Sequence, residues 1–186
     1  MKHLFKNILV LAVMFGTFTS FGTESIKISS NSTFKITKGD LISVTDYSGK
    51  TIYSGRTKYT GDLKSLYNFT NLEDGLYSIE IEKDFEILSK TIEVKNHLVT
   101  FLESASETFF KPAIKLEKAR LLVTQSLFKE ETIEIEIYYK DDLILSEALI
   151  ANPTLKRVYK LDETIKGSYT AIIRVNDRGD IENLEF

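Results

Sequence analysis

The sequence predicts an all-β protein: two tandem immunoglobulin-like antiparallel β-sandwiches behind a signal peptide. Three observations carry this. Lys64, Tyr67, Gly75 and Tyr77 recur as Lys156, Tyr159, Gly167 and Tyr169, each pair 92 residues apart, and Ile52/Ile144 and Ser54/Ser146 keep the same offset. Such a register, held through a strand-like stretch and the turn after it, implies two copies of one small module. Almost everything after residue 25 alternates with period two: Tyr77, Ile79 and Ile81 against Ser78, Glu80 and Glu82, and Ile133, Ile135 and Ile137 against Glu134, Glu136 and Tyr138. Successive strand side chains point to opposite faces, so this pattern buries one face and wets the other. Finally, the runs are short and closed by turn chemistry at Lys38-Gly39-Asp40, Ser48-Gly49, Glu73-Asp74-Gly75 and Asn176-Asp177-Arg178-Gly179, the mark of a sandwich.

In chain order, Lys2, His3 and Lys6 precede an apolar run from Ile8 to about Phe18, and Ser20-Phe21-Gly22 supplies small residues before Thr23. That is the order of a secretory signal peptide, and the run falls short of the roughly 20 residues that span a bilayer. Residues 1–22 are therefore expected to be removed, leaving an exported chain that is not an integral membrane protein. In the first module, residues 23–104, strands are expected near 26–29, 33–37, 41–46, 50–54, 64–69, 76–82 and 86–94, with a further one at 97–102. In the second, residues 105–186, they are expected near 119–124, 132–139, 143–148, 155–161, 168–175 and 181–184. The boundary is placed in polar Glu103-Ser-Ala-Ser-Glu107. Ala113–Phe128 has apolar spacings that suit a helix as well as a strand, and the 92-residue offset favours strand.

Both copies carry one corner, Leu72-Glu-Asp-Gly75-Leu-Tyr77 and Ile165-Lys-Gly167-Ser-Tyr169. Glycine tolerates the left-handed backbone of a tight corner. A tyrosine two residues on can bury its ring and return its hydroxyl to the backbone upstream, the tyrosine corner of immunoglobulin-like sandwiches. Ile79 and Ala171 stand where a disulfide cysteine would follow, so packing replaces the disulfide.

Asp46-Tyr-Ser-Gly49-Lys50-Thr-Ile52-Tyr53, Leu72-Glu-Asp-Gly75-Leu-Tyr77 and Lys90-Thr-Ile92-Glu-Val94 together give residues 44–94 a family likeness. The stretch resembles the C-terminal sorting domain of type IX secretion in Bacteroidetes, and equally the small exported immunoglobulin-like domains of those bacteria. The resemblance implies an immunoglobulin-like fold in a bacterial protein that is secreted, periplasmic or at the cell surface. It names no catalytic residue. The second copy departs from it, with Lys140-Asp141-Asp142 in place of the glycine–lysine turn.

Composition narrows the chemistry. Removing residues 1–22, which hold Lys2 and Lys6 and no acid, takes the net charge from −3 to −5. A mildly acidic chain without a basic cluster is not expected to bind nucleic acid. There is no cysteine, hence no disulfide, thiolate metal site or cysteine nucleophile. An exported chain of this kind suits a bacterial envelope. Past the leader, His97 is the only histidine, too few for zinc and unaccompanied by a marked serine and acid. Asp141-Asp142 lacks the spaced oxygen ligands of a calcium loop, and no glycine-rich phosphate loop opens a helix. Neither an enzyme, a cofactor nor a metal is expected.

Binding remains open. Tyr47, Tyr53 and Tyr59 fall in the early hairpins of copy one as candidates for stacking on sugar rings. Phe101, Phe109 and Phe110 flank the boundary, where packing is their first explanation. The leading expectation is a non-enzymatic structural or interaction protein whose partner is a protein or glycan at the cell surface. Two alternatives stand beside it: a glycan-binding accessory protein, and a pilus- or adhesin-type subunit that accepts a strand at a sheet edge.

Overall fold

A computed structural model describes residues 11–12 and 34–186 apart from Asp177. The expected leader, except Leu11 and Ala12, and the expected strand near 26–29 lie outside the described residues. The elements are β1 (Leu11–Ala12), β2 (Lys35–Ile36), β3 (Leu41–Asp46), β4 (Thr51–Arg56), β5 (Gly61–Asp62), the single helical turn α1 (Leu63–Leu66), β6 (Gly75–Glu82), β7 (Glu86–Lys95), β8 (Leu98–Phe110), β9 (Ala113–Glu117), β10 (Arg120–Ser126), β11 (Glu131–Tyr139), β12 (Asp142–Ala151), β13 (Thr154–Lys160), β14 (Ser168–Val175) and β15 (Arg178–Glu185). The protein is mostly antiparallel β. It divides into two compact units: module 1, Thr19–Phe109, and module 2, Phe110–Phe186 together with Met1–Phe18.

Module 1 has a five-stranded sheet in the order β4-β3-β6-β7-β8 and a two-stranded sheet, β2-β5. Alternation brings Ile42, Val44, Tyr77, Ile79, Ile81, Ile92 and Val94 to one face of the larger sheet, where they form a core with Phe34, Ile36, Leu63 and Phe69. In module 2, β12-β11-β14-β15 form one sheet and β1-β13-β10-β9 the other. Ile133, Ile135, Ile137, Ala171, Ile173 and Val175 are buried on the first, Leu121, Val123, Leu155 and Tyr159 on the second. The order β4-β3-β6-β7 is that of β12-β11-β14-β15. The register does not carry over residue by residue: Val44 faces Ile79, whereas Ala171, the match of Ile79, faces Ile137, one residue past the match of Val44.

Ala113–Phe128 is a β9–β10 hairpin, with Leu121 opposite Leu116; Lys118 takes the positive φ, +55°, of its turn. The polar stretch 103–107 does not end a strand. Between Leu98 and Lys111 there is neither glycine nor proline to break the extended backbone, so β8 runs on to Phe110, just short of Pro112. The two compact units meet in sequence at Phe109 and Phe110, the end of β8.

Residues 64–69, expected as a strand, are a correction. The Asp62 carboxylate accepts from the Lys64 N–H at 2.9 Å, and the Tyr67 N–H donates to the Leu63 carbonyl at 3.0 Å, closing α1. An aspartate N-cap satisfies an orphan helical donor and so favours the turn over a strand. The matched residues of module 2 begin Pro153-Thr154 instead of Gly61-Asp62. Lacking that cap, they form the full strand β13.

The corners are as the sequence implied in all but one respect. The Tyr77 hydroxyl donates to the Glu73 carbonyl at 2.8 Å, and the Tyr169 hydroxyl donates to the Ile165 carbonyl at 3.0 Å. Both rings are buried. The two glycines, however, differ. Gly167 has φ +138°, whereas Gly75 has ordinary extended backbone and opens β6.

Candidate functional site

Most polar chemistry in both modules is spent on turns. Asp46 Oδ1 accepts from the Ser48 N–H, the Ser48 hydroxyl and the Lys50 N–H, which holds its pKa below the ordinary value, the serine hydroxyl contributing most. Asn68 and Asp162 each accept from the N–H and hydroxyl of the threonine two residues on, Thr70 and Thr164. These are Asx turns ahead of the corners. His97 sits with Asn96 in the β7–β8 turn, both at positive φ, the pattern of a tight hairpin. Its Nδ1 donates to the Thr70 carbonyl at 3.0 Å. Among the described residues no three acids or histidines are placed to hold a metal ion.

The three stacking candidates are not brought together. Tyr47 is 87 % exposed in the β3–β4 turn. Tyr59 is 68 % exposed beyond the other end of the same hairpin, about 20 Å along six extended residues. Tyr53 alone joins other aromatics. Its ring lies edge-on to Tyr67 with centroids 5.9 Å apart, and a hydrogen bond with Tyr67 raises its pKa. The ring also lies over Gly55, where an added Cβ would come within 2.9 Å of the tyrosine hydroxyl.

From Tyr53 an aromatic row continues through Tyr67 and Phe69, stacked at 6.4 Å, to Phe101 on β8, edge-on to Phe69 at 6.3 Å. α1 and residues 67–70 form one wall of a groove, β7 and β8 its floor and other wall. The groove encloses about 600 Å³ and is lined by Lys64, Leu66, Tyr67, Phe69, Lys90 and Phe101 among others. Two ammonium groups rest on aromatic faces there: Lys64 Nζ is 4.4 Å from the centre of the Phe101 ring, and Lys90 Nζ 4.4 Å from that of Phe34. Such cation–π contacts attract an ammonium group to the ring face. Lys90 is only 3 % exposed. Among the described residues that line the groove there is no carboxylate.

Sequence reasoning singled out Lys64 and Tyr67 only as repeat markers, and Phe101 as packing. The groove's one legible signal was Lys90. It shares an alternation face with Ile92 and Val94 and is therefore a lysine directed into a core.

In module 2 the tyrosine that matches Tyr67 is enclosed. Tyr159 is fully buried and its hydroxyl donates to the Glu147 carboxylate, with Arg157 Nε 3.9 Å from the same carboxylate. Burial first, and this hydrogen bond second, push the Tyr159 pKa far up.

Residues 22–95 match the family model of the secretion system C-terminal sorting domain. The match covers the stretch whose motifs pointed to that family and extends upstream to the expected cleavage point. It marks the protein as one secreted to the cell surface or outside the cell. The match stops at Lys95, so β8 and the groove wall it provides lie beyond it. No curated protein matches the chain.

Proposed function

We propose that the protein is a non-enzymatic interaction protein of two duplicated immunoglobulin-like sandwiches, exported to the envelope surface or beyond, in which module 1 carries the contact surface and module 2 is structural. Duplication is supported by the shared sheet order and by hydroxyl-to-carbonyl corners at matched positions. The observation that carries the functional reading is the groove. Lys64, Tyr67 and Phe101 reach the surface there in module 1, whereas the matched tyrosine of module 2 is buried in a core. A concave site lined by apolar rings with a few convergent polar groups is the usual form of a small-ligand site.

Retention of the purified chain on envelope preparations tests it. A groove-filling substitution, Ser65→Trp on α1, should abolish retention, and Lys156→Ala on module 2 should leave it intact. Retention that ignores the groove variant would overturn the reading. The family match favours a second reading, in which residues 22–95 direct export. A reporter carrying the leader and residues 23–95 would then reach the cell surface, and its retention inside the cell would exclude this role.

A further inference from the structure

An outer strand leaves one row of backbone N–H and C=O groups unpaired, and sequences blunt such rows with charges, proline or bulges. Here β15 carries Asp180 and Glu182, β8 carries Glu103 and Glu107, and β4 ends in Arg56. β12 differs. It ends its sheet beside β11, and among the described residues nothing pairs with its other side. The bulge between Ile137 and Tyr138 disturbs only its first residues. From Leu145 to Ala151 the pairing is regular, and the strand there holds no lysine, arginine, glycine or proline. Ser146, Ala148 and Ile150 lie opposite Glu136, Glu134 and Thr132. All three are exposed, Ile150 at 71 %. The one charge in that stretch, Glu147, is turned inward, where its carboxylate accepts from the Tyr159 hydroxyl with Arg157 Nε 3.9 Å away. An inward charge guards an edge when a new neighbour would strip it of water and leave it unpaired. Glu147 already has its partners inside the module.

We propose that β12 pairs antiparallel with β12 of a second copy, joining two four-stranded sheets into one of eight. The strand itself argues for this partner. A two-fold pairing lays the strand against its own reverse, so opposed residues share a face and the centre falls on a residue. Centred on Ala148, it sets Ile150 against Ser146 on the outer face and Leu145 against Ala151 on the inner, a large side chain beside a small one each time. Glu147 then meets Leu149, and no two charges oppose. Centred on Glu147, the pairing would set two carboxylates face to face, which is destabilising. Centred on Ser146, it would run into the bulge. Such a contact closes on itself as a dimer. It is a narrow strip, well short of the roughly 20–30 residues a side of a standard interface, so the dimer is weak, with a Kd on the order of micromolar or above. The inference is independent of the groove. It adds that one assembly carries two copies of the module 1 surface, which raises avidity for a repetitive partner.

Sedimentation equilibrium of the full exported chain, from about 1 µM to about 1 mM, reads the association. A reversible monomer–dimer equilibrium is expected. Ala148→Lys should hold the chain monomeric throughout, because two lysines would meet at the centre of the pairing. Within one copy the new lysine stands opposite Glu134, so melts at low concentration should match those of the parent chain. Ile181→Lys, at an exposed position on β15, should leave the dimer intact. Register is read separately. The chain has no cysteine, so under mild oxidation with copper phenanthroline Ala148→Cys should link two copies efficiently. Ser146→Cys and Ile150→Cys should each link poorly alone and well when mixed. A chain that stays monomeric over the whole range overturns the proposal; a strand donated by an unlike protein, the competing occupant, would give that result. Growth beyond the dimer, a dimer that survives Ala148→Lys, or stronger cross-linking at 146 or 150 alone than at 148 would overturn it too. The groove variant Ser65→Trp should keep the dimer whatever it does to envelope retention, so failure of one reading leaves the other standing.

Discussion

Module 1 and module 2 place the same residue types at the same offset and give them different environments. Tyr67 is half-buried at the side of an open groove; Tyr159 is sealed in a core with its hydroxyl on Glu147. The cause lies a few residues upstream. Gly61-Asp62 caps a helical turn in module 1, and Pro153-Thr154 starts a seven-residue strand in module 2. That strand pairs along its whole length with β10, whereas the smaller sheet of module 1 pairs only two residues on each side. The difference in capping chemistry goes with a short helical turn beside a groove in module 1 and a fully paired strand in module 2.

The largest test of the shared part concerns the corners. Truncating Tyr77 or Tyr169 to alanine opens a cavity in a core that no disulfide reinforces, and should cost about 3–5 kcal/mol. Either loss is a large fraction of the roughly 5–15 kcal/mol that holds a domain together. Removing only the hydroxyl, as in Tyr77→Phe and Tyr169→Phe, should cost about 1–3 kcal/mol by leaving the Glu73 or Ile165 carbonyl without its donor. Denaturant melts should show matched losses for the two positions. A loss at one corner alone would break the equivalence.

Tyr159 provides a test of the part that differs. Its pKa is raised in the folded protein, so folding favours the neutral phenol. The associated stability is complete below the unfolded tyrosine pKa of about 10 and is lost as pH rises above it toward the folded value. An alkaline melt series should therefore show module 2 weakening above about pH 10, and Tyr159→Phe should flatten that decline. An unchanged pH profile in the variant would show that the phenol is not held neutral by its site.

The capping difference is tested at Asp62. Asp62→Ala should cost module 1 about 0.5–2 kcal/mol, while Asp62→Asn, which keeps the accepting oxygen, should cost little. The cost of the alanine variant should fall low in that range, because the second carboxylate oxygen, Oδ2, is buried without a hydrogen-bond partner. Equal stability of the Ala and Asn variants would mean that the cap does not select the turn.

Much of this architecture was legible because period-two alternation and turn residues report directly on which face is buried. Strands β3, β6, β11 and β14 follow from the spacing of Ile42 and Val44, Ile79 and Ile81, Ile133 to Ile137, and Ile173 with Val175. The tyrosine corners were legible for the same reason: a buried ring with a polar tip needs a backbone acceptor close by. Residues 64–69 were not, since Lys64 and Tyr67 carry the repeat while the deciding residue, Asp62, does not. Nor was the groove. It assembles Lys64, Phe69, Lys90 and Phe101 from four separate segments, and only the inward phase of Lys90 is visible along the chain. Tyr47 and Tyr59 illustrate the converse, being close in sequence yet at opposite ends of a hairpin.

The smallest effect separates the two corner glycines, which the sequence presents as equivalent. At Gly167, φ is +138°, and a Cβ would stand 3.4 Å from the Tyr139 ring. Gly167→Ala must therefore either strain the backbone or displace that ring, and should cost about 1 kcal/mol or somewhat more. At Gly75 the backbone is extended, and the nearest contact of a Cβ is an ordinary 3.8 Å to the Tyr77 ring. Gly75→Ala meets no clash and restricts the unfolded chain, so it should be neutral or stabilise by up to about 1 kcal/mol. The two variants thus move in opposite directions, a sign that is easier to read from paired denaturant melts than either magnitude. If both destabilise equally, Gly75 also requires a backbone that only glycine adopts, and the corners are equivalent after all. Opposite signs would show that the tyrosine hydroxyl, rather than the glycine, is what the two corners have in common.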